Sequence, residues 1–340
     1  NTIVLKPSEV TPFIAAWAVD LMYEAGIPRD VVQVVQGDGR TGSALVDHVD
    51  YVQFTGSAAV GRIVGKKAVD RLIPFSLELG GKDPAIVLAD ADPDKASIGL
   101  IQGAFENSGQ VCISIERVYV EEGIYEPLIE RLQHNMKRIT QNAGDGMDVV
   151  VGSMTNQAEL DRTQAHLDDA VKKGAKIIVG GNPRPDLGAL FFEPTILVDV
   201  DHSMDIMRIE TFGPVMPIMK VKDSNEAIRL ANDTDFGLSA SIFSSNLKRA
   251  QDIALQIDTG DVSVNRAQYA IGTPSIPSGG QRESGMGRRN GAEGILKYTA
   301  SQSIVLDNLI GAEKELQIAT PFAVTVIKAL RVIRRYIPFI

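Results

Sequence analysis

What this sequence has little of narrows the field first. It holds a single cysteine in 340 residues, so no disulfide can form within the chain. A lone thiol fits a reducing compartment, and the cytoplasm is the expected location. Only four histidines occur, His48, His134, His166 and His202, and none stands at metal-ligand spacing from another, so no metal site is expected. Positive charge is also short. The 34 Lys and Arg against 43 Asp and Glu leave a formal net charge of -9, the wrong sign for a nucleic-acid surface. No internal repeat or low-complexity tract interrupts the chain. With 44% apolar and 23% charged residues, the remainder is an ordinary globular composition, long enough for about two domains with their own cores.

The N-terminus lacks a methionine, a basic segment and a signal-type apolar stretch, and opens directly on the strand pattern Thr2-Ile3-Val4-Leu5. An upstream truncation is therefore expected, leaving an apolar sheet edge without its flanking strands. Strand and helix then alternate: Ile3 to Leu5, a helix from Pro12 to Ala25, Val31 to Val35 and Tyr51 to Thr55. This is βαβ grammar, and an α/β fold is the expectation. Thr11 is placed as the N-cap of the first helix, Pro12 at its first position and Gly26 just past its end. A second helix follows Gly56 to about Arg71, then strands at 76–78 and 85–88, and a capping run Asp90-Ala91-Asp92-Pro93. Helices near 94–106, 124–140, 156–173, 223–231 and 246–257 alternate with strands at 117–120, 176–179, 216–221 and 240–243.

Composition shifts at 272–292, where Gly, Pro, Ser and Arg crowd into a long ordered loop or a linker. The last twenty residues pair apolar positions with Lys328, Arg331, Arg334 and Arg335, too many charges for a membrane span. An amphipathic helix is expected there, with subunit packing favoured over contact with a membrane surface.

Four short strings carry the chemistry. Cys112 ends Asn107-Ser108-Gly109-Gln110-Val111-Cys112, where a small residue lets backbone and ligand approach the thiol. A lone Cys is also a common buried hydrophobe. Upstream, Leu77-Glu78-Leu79-Gly80-Gly81-Lys82 sets a carboxylate between apolar residues before a Gly-Gly turn. Desolvation would make Glu78 a general base near neutral pH, whereas a pair with Lys82 would make it structural. Thr55-Gly56-Ser57-Ala58-Ala59-Val60-Gly61 is a Gly-bearing turn from strand into helix. Its first N–H groups can face a phosphate, or it is merely a tight start to a helix. Lys6-Pro7-Ser8-Glu9 follows the first strand, at the carboxyl end where α/β sheets meet ligands, although a solvated helix start has the same composition. Arg282 and Arg288 in the Gly-rich loop suit either an acidic substrate or plain solvation.

In this order the four strings resemble the aldehyde dehydrogenase family over essentially residues 1–310. Glu210-Thr211-Phe212-Gly213-Pro214-Val215, the Asn265 region, Gly279-Gly280 to Gly287 and Tyr298-Thr299 extend the likeness. The stretches 112–120 and 285–296 are most similar to the bacterial succinate-semialdehyde dehydrogenase branch. The resemblance implies a partial Rossmann-like cofactor domain over 1–80, a catalytic α/β domain over 81–277, a return segment with an oligomerisation strand over 278–310, and a tail from 311. It implies Cys112 as nucleophile toward a small-molecule aldehyde and Glu78 as the base that hydrolyses the resulting thioester. NADP or NAD is the implied cofactor, with a lean to NADP. Lys6, Ser8 and Glu9 would serve its adenosine ribose, Gly56, Ser57 and Gly61 the pyrophosphate, Leu79 the nicotinamide, and Glu210 with Phe212 its ribose, with Pro7 and Gly37 also at the cofactor. A homo-oligomer is implied as well.

One departure weighs against turnover. The family's second oxyanion donor is an Asn in a Pro-Trp-Asn string upstream, and here the only Trp, Trp17, precedes Ala18. Loss of such a donor costs about two to three powers of ten in rate. The competing expectations are a truncated homologue that binds nucleotide or partner subunits without turnover, and a thiol esterase that needs no cofactor.

Overall fold

The computed structural model describes residues 1–144, 149–306 and 324–334. The strands are β1 (Ile3–Leu5), β2 (Val32–Val34), β3 (Val52–Thr55), β4 (Phe75–Glu78), β5 (Asp83–Val87), β6 (Ile115–Glu121), β7 (Lys176–Val179), β8 (Thr195–Val198), β9 (Val215–Val221), β10 (Ser239–Phe243), β11 (Asp261–Val264) and β12 (Gly285–Met286). The helices are α1 (Pro12–Glu24), α2 (Gly39–Val46), α3 (Ala58–Asp70), α4 (Pro93–Phe105), α5 (Tyr125–Met136), α6 (Gln157–Lys172), α7 (Ser224–Asn232), α8 (Leu247–Ala254) and α9 (Gly291–Leu296).

The largest sheet runs β11-β10-β5-β6-β9-β8-β7, parallel except for the β7–β8 pair. Its central strands are apolar at consecutive positions because helices cover both faces. Side chains alternate across it. Ala85, Val87, Val118 and Val120 pack on one side with Leu100 and Phe105 of α4 and with Leu128 and Leu132 of α5. Ile86, Tyr119 and Ile242 pack on the other with Leu167, Leu230 and Ile253 of α6, α7 and α8. This rigid slab holds α4, whose end leads into the loop that carries Cys112.

A smaller sheet runs β12-β4-β3, in which Thr55 and Gly285 both pair with Glu78. β1 and β2 form a separate parallel pair. β1 leaves Ile3 56% exposed, and α1, packed against β2, leaves Phe13 84% and Trp17 60% exposed. The two compact units of the chain are Asn1–Tyr298 and Thr299–Ile340. In the second, 324–334 is helical, as expected for the tail, while 300–306 has no helix or strand. The remainder of the expected oligomerisation strand, and Arg335, lie outside the described residues. Among the described residues no helix is long and apolar enough to cross a membrane.

Local expectations were met unevenly. Pro12 opens α1, and Gly26 follows its end at φ +96. Thr11, however, makes no capping bond: its N–H donates to Ser8 O at 3.2 Å, and the turn at Ser8 sets the start of the helix. Asp92 caps α4 as its pattern suggests, accepting from Asp94 N and Lys95 N. α2 was not foreseen, because Gly39 and Gly42 lower its intrinsic propensity. Asp38, accepting from Arg40 N at 2.9 Å, starts it. The crowded segment 272–292 is an ordered loop whose ends meet, Ser278 N donating to Arg289 O and Arg289 N to Ser278 O.

Candidate active site

Glu78 closes β4 and is 5% exposed. Its Oε1 is buried with no hydrogen-bond partner. Burial pushes its pKa above the usual carboxylate range, and the positive charges of Arg289, Lys297 and Arg288 oppose that rise. The pairing with Lys82 that would have made Glu78 structural does not occur. Lys82 Nζ donates instead to Glu116 Oε2 at 2.5 Å and to Thr211 Oγ1 at 3.2 Å. The cation nearest Glu78 is Arg289, with Nε 3.8 Å from Oε2.

Cys112 stands on a tightly tied loop. After α4, Asn107, Ser108 and Gly109 all take positive φ. A Cβ at Gly109 would run into the Gly213 carbonyl, so only glycine allows the thiol loop and the 210–214 loop to touch. Asn107 Nδ2 donates to Gln110 O at 3.0 Å. Gln110 Oε1 accepts from Thr155 N and Thr155 Oγ1, both at 2.7 Å, and its Nε2 donates to Ser153 O at 3.2 Å. Burial pushes the Cys112 thiol up to about 11, with the carboxylates of Asp83, Glu78 and Glu210 adding to it and Arg289 opposing. Asp83 is itself driven well above its ordinary value by burial. Desolvation, with these neighbouring acids, therefore keeps the thiol neutral. Its nucleophilic form requires a base beside it or an incoming positive charge.

The buried Lys82–Glu116 pair organises the opposite wall. Besides Lys82, Glu116 accepts from Thr211 N and Phe212 N, both at 2.8 Å, and holds Phe212 at φ +54. Glu210 Oε1 accepts from Gly81 N at 2.8 Å. Desolvation first and the neighbouring Glu116 second lift its pKa to about 7. A Cβ at Gly80 would overlap the Glu210 carboxylate, and one at Gly81 would lie 2.5 Å from Cys112 O. The Gly80–Gly81 turn is therefore where Glu78, Glu210 and the cysteine loop converge. Sequence reasoning gave Lys82 and Glu116 no joint role. The available signal was the pair of charges Glu116-Arg117 inside an apolar strand, since buried charges demand partners. Arg117 finds Lys82 O at 2.8 Å and Ala231 O at 2.9 Å.

The residues expected around a dinucleotide fall in two groups. Lys6 Nζ donates to Pro7 O at 2.5 Å and Gly37 O at 2.9 Å, and it pairs with Glu9 at 3.5 Å. Lys6, Pro7, Glu9 and Gly37 thus cluster at the carboxyl ends of β1 and β2, with Ser8 Oγ accepting from Val10 N. At the end of β3, Gly56 N donates to Glu78 O, and Ser57 caps α3 by accepting from Val60 N at 3.4 Å. A Cβ at Gly61 would lie 2.5 Å from a Leu79 methyl, so this glycine lets α3 pack on Leu79. Arg282 and Arg288 are engaged at home: Arg282 pairs with Asp258, and Arg288 donates to Gly280 O and Gly287 O. Among the described residues no three His, Cys, Asp or Glu side chains converge as a metal site.

Residues 1–304 match the profile of the Aldehyde dehydrogenase family. A Mycobacterium tuberculosis protein named "Putative succinate-semialdehyde dehydrogenase [NADP(+)] 2" is 44% identical over 306 residues, which are 89% of this chain and 59% of that protein. The chain thus spans about three fifths of the length of that relative. Among solved structures, lactaldehyde dehydrogenase from Escherichia coli superposes with a TM-score of 0.85 at 37% identity, covering 90% of this chain and 64% of that one. An NAD-dependent aldehyde dehydrogenase from Sinorhizobium meliloti does so at 0.83 and 38%, covering 87% and 59%. With its family profile matched along most of its length, this chain belongs to the aldehyde dehydrogenase family.

Proposed function

We propose that the chain is the catalytic part of an NAD(P)-dependent aldehyde dehydrogenase, oxidising an aldehyde to its carboxylic acid through Cys112. The observation that carries this reading is Glu78, a buried carboxylate with an unpartnered oxygen, at the Gly-Gly turn that also meets the Cys112 backbone. Such an oxygen is costly to bury and serves no packing purpose, so a reaction has a use for it.

In this reading the Cys112 thiol gives up its proton to a water molecule and its sulfur bonds to the carbonyl carbon, leaving an oxyanion for the Cys112 N–H to hold. An oxidised nicotinamide held at this site would supply the acceptor for the hydride that this carbon gives up. Cys112 is left as a thioester. Glu78 takes a proton from water as the water oxygen attacks the thioester carbon. The sulfur–carbon bond then breaks, and the acid leaves. The start of α3 at Ser57 and the cluster around Lys6 suit a pyrophosphate and a ribose. The name of the mycobacterial relative puts NADP+ first, whereas the Lys6–Glu9 pair disfavours a 2′-phosphate and supports NAD+. We assign residues 1–80 to cofactor binding and 81–277 to catalysis, in a cytoplasmic homo-oligomer.

Succinate semialdehyde is the first substrate to test, because the relative is named for it. A second reading has its own observation. A cavity of about 570 Å³ beside the cysteine loop is lined by Gln102, Glu106, Asn107, Val149, Val150 and Gly152. Among the described residues this lining holds a carboxylate and no cation, so an aldehyde entering from this side would be one without a negative charge. The test is formation of NADH and NADPH with succinate semialdehyde, lactaldehyde and butanal, by this chain and by Cys112→Ser. Reduction that depends on Cys112 is the expected result. No reduction by folded protein would favour binding without turnover, and acyl-ester cleavage alone would favour the esterase.

A further inference from the structure

Resting on the reading of Glu78 as deacylation base, we propose that Arg289 is its positioning residue, holding the carboxylate charged and aimed while leaving its oxygens free to take a proton from water. The separation of 3.8 Å between Arg289 Nε and Glu78 Oε2 is within ion-pair range but beyond hydrogen-bond length. A guanidinium at hydrogen-bonding distance would occupy the lone pairs that a base needs. Without the guanidinium, burial would raise this carboxyl further and favour its protonated form.

Three constraints hold the spacing. Arg289 Nη2 donates to Thr55 Oγ1 at 2.7 Å, and Thr55 pairs with Glu78 across β3 and β4. The Arg289 backbone is bonded both ways to Ser278, at 2.6 and 3.0 Å. The next residue, Gly279, closes over the base, since a Cβ there would lie 2.8 Å from Glu78 Oε1. On its outer side Arg289 lines a cavity of about 300 Å³ with Gln53, Asn290, Gly294, Lys297 and Tyr298, so the guanidinium keeps contact with solvent.

The other charges facing Glu78 are already employed. Lys297 Nζ donates to Gln53 Oε1 at 2.6 Å and to Ser76 Oγ at 3.2 Å. Arg288 serves backbone carbonyls, Asp261 accepts from Ser278 Oγ at 2.9 Å, and the Cys112 thiol, which Glu78 also influences, is neutral. Arg289 is left as the group whose charge Glu78 meets most directly.

The experiment uses the full chain and two variants, Arg289→Gln and Arg289→Lys, with saturating cofactor and aldehyde. In Arg289→Gln the NAD(P)H burst persists, steady turnover at pH 7 falls about tenfold, and the pH–rate profile moves to higher pH. Arg289→Lys restores most of both. An unmoved profile, or equal loss of burst and turnover, overturns the proposal. A second measurement needs no turnover: titration of 13C-labelled glutamate, with the Glu78 signal identified by its loss in Glu78→Gln. The Glu78 midpoint is expected at higher pH in Arg289→Gln than in the parent chain, and identical midpoints overturn the proposal. Absence of Cys112-dependent oxidation in the parent chain would instead strike at the reading of Glu78 as a base, and the titration separates the two failures.

Discussion

Glu116 and Glu78 are both buried glutamates within one site, and they are treated in opposite ways. Glu116 is saturated, bonded to a lysine and two backbone N–H groups. Glu78 keeps one oxygen without a partner and its nearest cation at arm's length. The first arrangement spends a carboxylate to fix a loop. The second withholds bonds from a carboxylate, which keeps it reactive. Partnership, more than burial, separates a structural acid from a chemical one here.

The sharpest way to break this contrast is Glu116→Ala. It strands the Lys82 ammonium in the core and is expected to cost about 3–5 kcal/mol in urea unfolding. Replacing both partners, Lys82→Met with Glu116→Leu, should recover most of that loss. A cost for Glu116→Ala no greater than that of Glu78→Ala would dissolve the distinction.

Next in size is Gly109→Ala. It forces a Cβ against the Gly213 carbonyl at φ +72, an expected cost of about 2–3 kcal/mol with Cys112 displaced. Denaturant midpoints near the parent value would show that the loop yields easily.

The smallest effect belongs to Glu78→Gln. Burial raises the pKa of Glu78 above its ordinary 4.5, so its ionisation weakens the fold as pH rises from there through the folded-state value. The variant, free of that charge, should match the parent in Tm near pH 4 and equal or exceed it at pH 8. A lower Tm at pH 8 would mean that Glu78 is bonded after all.

Much of this was legible in the linear chain. Ala85 to Leu88 and Arg117 to Val120 read as buried strands because a parallel sheet covered on both faces leaves few polar positions. Cys112 and Glu78 stood out as a lone thiol and an acid between apolar residues. Partnerships across space were hidden. Whether Lys82 would choose Glu78 or Glu116 depends on how β4, β5 and β6 are stacked, and no local pattern encodes that. Arg289 was invisible for a related reason: its place beside Thr55 requires the glycine-rich loop to fold back on Ser278. Thr11 stands at the N-cap of α1 as its pattern suggests, but its side chain makes no capping bond, and α2 was masked by its glycines.

The division of labour between thiol and base is tested most directly by intact-mass analysis of Glu78→Gln after incubation with aldehyde and NAD(P)+. The account predicts an acyl adduct that accumulates on the peptide bearing Cys112, with one equivalent of reduced cofactor formed and little turnover beyond it. An unmodified Cys112 with both phases lost together would contradict it.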